Sequence, residues 1–598
     1  MKFIILCGII RSIKITEQNM KLKTDYQSEI IPHSEYPRPI MQRESYQTLN
    51  GCWDFTKASA KTQEYVFDKQ IKVPFSPETE SSGIGNGFRL QSDEKLVYKR
   101  SFAIEEDTSD KRVLLHFGAV DQICKVFVNG KKAGVHRGGY TPFSFDITEL
   151  LNGGENTLVV ECIDLNEKSG GARGKQSTKP GGIWYTAQSG IWQSVWLECV
   201  PKNYIRDITI VTDAYNKEVT VGIDADTGAN ITVFDGENTV FEGAFQDNTV
   251  TFTGNFELWS PECPKLYDLE IKTQSGDVVR SYFGVRTFEI KEDKSGKMRL
   301  FLNGKPYFMN GVLDQGYWPE GLLTPPSYKA MEDELLMLKS MGFNMIRKHI
   351  KIEPQTWYYL CDKLGFVVWQ DFVNGGGEYK FTHVAAFPFL GFHHNDADYQ
   401  YFARSDKDGR EEFVRSVYET VGTLKNYTSI GVWVPFNEGW GQFDSAAVTK
   451  LVRKLDPTRI IDSVSGWHDQ GVNKTEIKSL HTYYTKLKVP SDSRAVVLSE
   501  FGGYSLKIDG HVFNENKEFG YKKFKNADEL MDALEKLYVQ KLIPLIEEGL
   551  SACVYTQVCD VEEEINGLVT YDRKVVKVDP QRMKNICELV KRAADKTV

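Results

Sequence analysis

Residues 431–444 read GVWVPFNEGWGQFD, and one residue in the stretch is out of place. Val432, Trp433, Val434 and, past Pro435, Phe436 make an apolar run of strand length. The run ends on Asn437 and Glu438, ahead of Gly439-Trp440-Gly441. A carboxylate withdrawn from water is costly unless it is paired or hydrogen-bonded. Glu438 therefore needs a partner or a task, and the surrounding chain indicates which.

From Arg299 onward, segments of helical and strand character alternate. SYKAMEDELLMLKSMG places Met331, Leu335 and Leu338 at helical spacing and closes on Gly342, and FNMIR follows as a strand. TWYYLCDKLG then FVVWQDF, EEFVRSVYETVGTLK then IGVWVPFNE, and SAAVTKLVRKLD then RIIDSV repeat the alternation. AVVLSEF and SACVYTQVCD are further strands around the helical NADELMDALEKLYVQKLIPLIEEG. Such alternation over about 300 residues predicts a parallel-sheet architecture, and its length suits a (β/α)₈ TIM barrel. A doubly wound sheet would need a GxGxxG after its first strand, and GIGNG at 83–87 follows no strand.

Upstream, from about Leu96 to Val200, the segments are short and alternate polar with apolar, and Asn129-Gly130 between two of them signals a hairpin. This predicts a jelly-roll β-sandwich over 40–202. Smaller strands over 203–291 predict an immunoglobulin-like β-sandwich, the barrel occupies 292–598, and 1–39 form an N-terminal extension. The chain, 598 residues long, exceeds what one core supports, as a multidomain reading requires.

Composition narrows the partners. A net charge of −9 argues against nucleic acid or an anionic membrane as the main partner. Aromatic residues at 12% suit sheet cores and stacking on sugar rings. The ten cysteines are scattered without a CxxC pair, which predicts buried free thiols rather than a zinc site. No apolar run approaches the roughly 18 residues of a membrane span. MKFIILCGII resembles an export signal without a small-residue cleavage site, and Met20 offers an alternative start. A cytoplasmic location is expected, or a periplasmic or secreted one if that run is a signal.

Functional side chains of a barrel sit where strands end and βα loops begin. Glu438 closes the fourth predicted strand and Glu500 the seventh. Two carboxyls on one rim suit glycoside hydrolysis, in which one protonates the leaving oxygen and the other attacks the anomeric carbon. Arg347, ending FNMIR, could hold a nucleophilic carboxylate ionised. Asn437 could bind a sugar hydroxyl, and Trp467, His481, Tyr483 and Tyr555 fall near strand ends, where they could form a platform for a sugar ring.

Beyond these readings, several segments resemble glycoside hydrolase family 2. LHFGAVDQICKVFVNGKKAGVHRGGYTPFSFDIT and SGIWQSVWLE resemble its sugar-binding jelly roll. FLNGKPYFMNGV, MGFNMIRKH, CDKLGFVVWQD and NGLVTYDRK resemble parts of its barrel. FNEGWGQ is similar to the acid/base signature, which implies Glu438 as general acid/base, and VLSEFGG to the nucleophile strand, which implies Glu500. The resemblance implies an exo-acting retaining β-glycosidase, most like a β-galactosidase; no redox or nucleotide cofactor is needed, and nothing in the sequence marks a metal-ligand set. Its partners would be a carbohydrate substrate and at most further copies of the same chain. Alternatives are a β-glucuronidase, β-galacturonidase or α-L-arabinofuranosidase of the same family, or an inactive carbohydrate-binding protein.

This chain departs from the family pattern in three places. Where many members read GVNRHE it has GVLDQ, which departs from the usual contacts of that loop and leaves Asp314 as the substrate-binding candidate there, and RKHIKIEP leaves His349 and Lys351 as further pocket candidates. VEEEINGLVTYD lacks the Asn-x-Lys pair of family glucuronidases. A uronic acid would meet Glu562, Glu563 and Glu564 there, so a neutral sugar is favoured.

Overall fold

The computed structural model describes residues 22–596 apart from 27, 28, 86, 105, 381 and 390. The signal-like run and Met20 lie outside the described residues.

Eight parallel strands build the barrel: β1 (Met309–Asp314), β2 (Met345–Lys348), β3 (Val367–Asp371), β4 (Ile430–Val434), β5 (Ile460–Ile461), β6 (Ile477–Thr482), β7 (Ala495–Gly502) and β8 (Leu550–Thr556). Backbone ladders run in the order β5-β4-β3-β2-β1-β8-β7-β6. Between β5 and β6, side chains take over: Ile461 N donates to Glu476 at 3.2 Å and Ser479 Oγ to Asp462 at 2.9 Å. Alternate strand residues fill the interior, among them Leu313, Met345, Trp369, Val432, Val497 and Val554. The antiparallel strands Phe288–Glu292 and Met298–Leu302 add Phe288, Leu300 and Leu302 to this interior cluster. The active rim is left at the opposite, C-terminal end of the strands.

Helices cover the outside where their apolar faces match. Helix α1 (Tyr328–Ser340) is capped by Ser327, which accepts from Ala330 N at 3.1 Å, and buries Met331, Leu335 and Leu338 as the spacing predicted. Helices α2 (Gln355–Leu364), α3 (Lys407–Leu424) and α4 (Ser445–Leu455) follow β2, β3 and β4. Among the described residues no helix separates β6 from β7, and a groove of about 890 Å³ opens there, lined in part by Tyr483, Tyr484 and Tyr521.

The sandwiches are antiparallel as expected. Six- and four-stranded sheets enclose the jelly-roll core, with Asn129 and Gly130 both at positive φ in the hairpin turn. Three- and four-stranded sheets make up the immunoglobulin-like unit. The segment read as an extension is packed structure over its described part. Tyr26 donates to Asp333 at 3.0 Å, His33 stacks on Tyr328, and Arg38 pairs with Glu198 at 3.0 Å. Among the described residues no helix is long and apolar enough to cross a membrane.

Jelly-roll loops reach the mouth of the barrel. Arg173 N and Gly174 N each donate to Asn374 O at 2.9 Å. A Cβ at Gly375 would sit 1.8 Å from Gly171 O, so the NGGG of residues 374–377 is the composition that lets the two backbones meet.

Candidate active site

Glu438 and Glu500 reach the same small volume by different backbone devices. In β7, strict alternation would send Val497 and Ser499 inward and Glu500 outward. The ladders to both neighbours shift register here, with Leu480 opposite Leu498 but His481 opposite Glu500. This bulge turns Glu500 into the barrel beside Ser499. At the end of β4, Asn437 points inward, and Glu438 does so too because its backbone is left-handed at φ 50°. Its N–H donates to Ser465 O at 3.0 Å. The glycines that follow are steric: a Cβ at Gly439 would meet the His468 ring at 2.6 Å, and one at Gly441 would meet Gly375 O at 1.9 Å.

The two carboxylates and the His481 ring offer oxygen and nitrogen atoms within 4.8 Å of one another. That spacing could hold a metal ion, yet the same atoms are engaged with protein groups. His481 Nδ1 lies 2.7 Å from Glu438 Oε1, and its Nε2 lies 3.1 Å from Ser465 Oγ and 3.5 Å from Glu500 Oε1. Tyr483 donates to the other oxygen of Glu500 and contacts Thr556 Oγ1 at 3.1 Å. The Tyr483 ring stacks flat on Tyr521 at 3.8 Å.

Arg347, 0% exposed, organises the floor. It forms a bidentate pair with Asp371 at 3.0 and 2.9 Å and donates to Ser499 O at 3.0 Å. It also donates to Asn437 Oδ1 at 2.8 Å and to Glu500 Oε1 at 3.2 Å. Asp371 in turn holds His349 Nδ1 at 2.6 Å. Burial pushes the His349 pKa well down, so the ring is neutral and its Nε2 is left as an acceptor.

These surroundings drive the two carboxyls apart. Burial, then the charge of Glu500, raise the Glu438 pKa above the usual carboxylate range, against the opposing pull of His481. Burial also works against ionisation of Glu500, but His481 and Arg347 outweigh it and hold its pKa below that range. Two carboxyls of unequal acidity are thus in contact through one imidazole.

Of the residues expected at the site, Arg347, Asn437, His481 and Tyr483 join this cluster, and Trp467 lies beside it with its ring 6.4 Å from that of His481. Asp314 and Tyr555 require correction. Asp314 lies opposite Lys348 in the ladder, one residue out of phase with the inward Leu313 and Arg347. It pairs with Lys348, which also binds Glu353 at 2.8 Å, on the outer face of the barrel wall. Tyr555 likewise packs outside, against Phe501, and its hydroxyl accepts from Tyr504 N at 3.3 Å. The inward neighbour is Thr556. Proximity to a strand end does not tell which face a side chain takes. Lys351 is also outside, paired with Glu353 at 2.7 Å, whereas His349 is inside.

Four residues of the site escaped the sequence reading. Asp371 ends β3 as Glu500 nearly ends β7, and the same strand-end rule would have found it. Tyr521 comes from a long connection, Trp440 is in place against His349 with rings 6.3 Å apart, and Lys175 comes from another domain. No periodicity marks these three.

Comparison with known proteins bears on this arrangement. Three family profiles match consecutive parts of the chain: "Glycosyl hydrolases family 2, sugar binding domain" over 82–201, "Glycosyl hydrolases family 2" over 203–286, and "Glycosyl hydrolases family 2, TIM barrel domain" over 294–504. The chain belongs to glycoside hydrolase family 2.

Among family 2 relatives, a putative β-glucuronidase of Formosa agariphila is 26% identical over 61% of this chain and 45% of its own length. A β-galactosidase of Thermoanaerobacter pseudethanolicus is 27% identical over 46% of this chain and 39% of its own length. The chain thus matches less than half the length of these curated relatives. Solved structures share the fold at low identity. The β-D-glucuronidase of Dictyoglomus thermophilum superposes with a TM-score of 0.72 at 20% identity, covering 92% of this chain and 98% of its own. A family 2 β-galacturonidase from Eisenbergiella tayi, bound to galacturonate, superposes at 0.67 and 18% identity over 93% and 99%.

Proposed function

We propose that this family 2 chain is a retaining exo-β-glycosidase in which Glu500 is the nucleophile and Glu438 the general acid/base. The observation that carries the reading is the closeness of the two carboxyls, an oxygen of one lying within 4.8 Å of an oxygen of the other. Inverting enzymes hold their carboxyls about 6.5–9.5 Å apart to admit a water, and retaining ones about 5–5.5 Å. The unequal acidities support the role split. Ionised Glu500 attacks the anomeric carbon, and protonated Glu438 delivers its proton to the leaving oxygen. Glu438, then anionic, draws a proton from the water that releases the sugar. His481 holds Glu438 in place at 2.7 Å, and Tyr483 orients Glu500.

The sugar was expected to be neutral, as in a β-galactosidase, because three glutamates crowd the last βα loop. In the fold those carboxylates are occupied by the jelly roll. Glu562 accepts from Thr186 N at 3.0 Å, Glu563 from Gly182 N at 3.2 Å, and Glu564 from the Tyr185 hydroxyl. Burial pushes the Glu562 pKa up to about 7. The objection to a uronic acid is thereby weakened, and a β-uronide becomes a specific second reading. A panel of aryl β-galactoside, β-glucoside, β-galacturonide, β-glucuronide and α-L-arabinofuranoside, followed by proton NMR of the first-formed anomer, tests both readings. Release of the anomer that the substrate itself carries is expected, β from a β-glycoside; the opposite anomer would sink the retaining mechanism, and binding without cleavage would favour the inactive protein.

The pH profile of kcat/KM should be bell-shaped. Glu500 must be ionised, so activity falls as pH drops through its lowered pKa. Glu438 must be protonated, so activity falls as pH rises through its raised pKa. Glu438→Gln, assayed with a good leaving group, should lose the basic limb and keep the acidic one. Loss of the acidic limb instead would reverse the assignment.

A further inference from the structure

Lys175 is a buried lysine of the jelly roll, 6% exposed, and its place at the barrel mouth has no structural explanation. Among the described residues its ammonium has no hydrogen-bond or ion-pair partner. It lies instead 5.5 Å from the ring centroids of both Tyr185 and Trp440. Aromatic faces compensate a desolvated ammonium only in part. The Trp440 ring is also the neighbour of His349. After burial, the charge of Lys175 is the foremost influence on His349, and behind nearer groups it also acts on Asp371 and Glu438, which sets it at the edge of the catalytic cluster.

The wall beside it is short of acceptors. Arg173, two residues away and 4% exposed, lies over the Tyr379 ring at 4.5 Å with its Nε and Nη1 unpartnered. Asn374, whose backbone carbonyl receives the N–H of Arg173, is 2% exposed, and both of its side-chain amide atoms are unpartnered. Trp184 bridges this patch to Lys175, with ring centroids 5.7 Å from Tyr379 and 5.1 Å from Trp440. Two cations with unused donors, framed by aromatic rings, form a binding wall for a negative charge. The carboxylates of the last βα loop, Glu562, Glu563 and Glu564, already accept hydrogen bonds from the jelly-roll loop.

We infer that Lys175 is a specificity residue that recognises a carboxylate on the sugar ring, so that the substrate class is a β-linked uronic acid glycoside. The inference rests on the retaining-glycosidase reading of Glu438 and Glu500 and names the sugar that reading leaves open. It also explains how a chain without the Asn-x-Lys pair of family glucuronidases could take an anionic sugar: the cation comes from the jelly roll instead of the last barrel loop. A competing role for Lys175 is to balance the charges of Asp371 and Glu438 with no part in substrate choice.

The two roles separate in an experiment with matched substrates. Aryl β-galactoside and β-galacturonide differ only in bearing a hydroxymethyl or a carboxylate at C5, as do β-glucoside and β-glucuronide. The wild type is expected to prefer the uronide of at least one pair. In Lys175→Met the uronide-to-neutral ratio of kcat/KM should fall by roughly 30- to 100-fold, mostly through KM, and Lys175→Arg should restore much of it. A ratio unmoved in Lys175→Met, with both substrates impaired alike and the pH profile displaced, would overturn the inference in favour of charge balance. A wild type that prefers the neutral sugars would overturn it too. If the wild type cleaves neither member of either pair, the glycosidase reading fails separately. Titration of galacturonate and glucuronate into folded wild type and Lys175→Met then decides: loss of binding in the variant supports the inference, and equal or absent binding overturns it.

Discussion

Glu500→Gln is expected to lower kcat by roughly 10⁴-fold or more on every substrate the wild type cleaves, because on the proposed mechanism the Glu500 carboxylate forms the bond to the anomeric carbon. The fold should survive, since glutamine keeps the shape and can still meet Tyr483 and Arg347. The roles of the two carboxyls are separable by rescue chemistry. In Glu500→Gly a small anion such as azide can occupy the vacated space and attack the substrate directly, giving the α-glycosyl azide. In Glu438→Gly a substrate with a good leaving group still forms the glycosyl-enzyme, and azide then attacks from the opposite face to give the β-glycosyl azide. The same azide anomer from both variants would falsify the division of roles.

Arg347→Met should have the next largest effect, and on two properties at once. The guanidinium is the sole ion-pair partner of Asp371 besides His349 among the described residues, and it binds Glu500, Asn437 and Ser499 as well. Its removal leaves buried carboxylates without their cation, a change that costs about 3–5 kcal/mol where one partner of a buried pair is deleted. A lower unfolding midpoint in denaturant is the measurement. Catalysis should fall by about 10²-fold or more, as expected when a nucleophile loses its orientation and its charge partner. The acid limb of the pH profile gives the specific signature. Arg347 helps hold the Glu500 pKa down, so without it the carboxyl ionises only at higher pH, and the limb moves upward. Arg347→Lys keeps the charge but not the fork, and should restore the limb more fully than the stability. A limb that stays in place in both variants would show that Glu500 owes its ionisation to other groups.

Much of this architecture was legible in the chain. The alternation of helical and strand periods gave the barrel, and Asn129-Gly130 gave the hairpin. Glu438 and Glu500 were found as strand-end carboxyls because a buried carboxylate must answer to something. Rules of that kind act over a few residues, which is the distance over which sequence is read. Asp314 and Tyr555 marked the limit. Both stand at strand ends, and both face outward, because whether an end residue points in or out depends on the phase of the whole strand against its neighbours.

GVWVPFNEGWGQFD, by itself, determined that Glu438 would be delivered to the rim at the end of the fourth strand. Only the tertiary structure decided that it meets Glu500. That meeting depends on a left-handed residue at 438 and a bulge at Ser499-Glu500, and neither has a local sequence cost that would reveal it. The glycines at 375, 439 and 441 make room for backbones and rings that approach from other segments. Lys175 is the furthest case: it is separated from Glu438 by 263 residues and reaches the same mouth because two domains pack together. Sequence fixes the period and the end of each element, through local sterics and burial. The charges that share one cavity are set by packing between elements, and that packing is a property of the assembled fold.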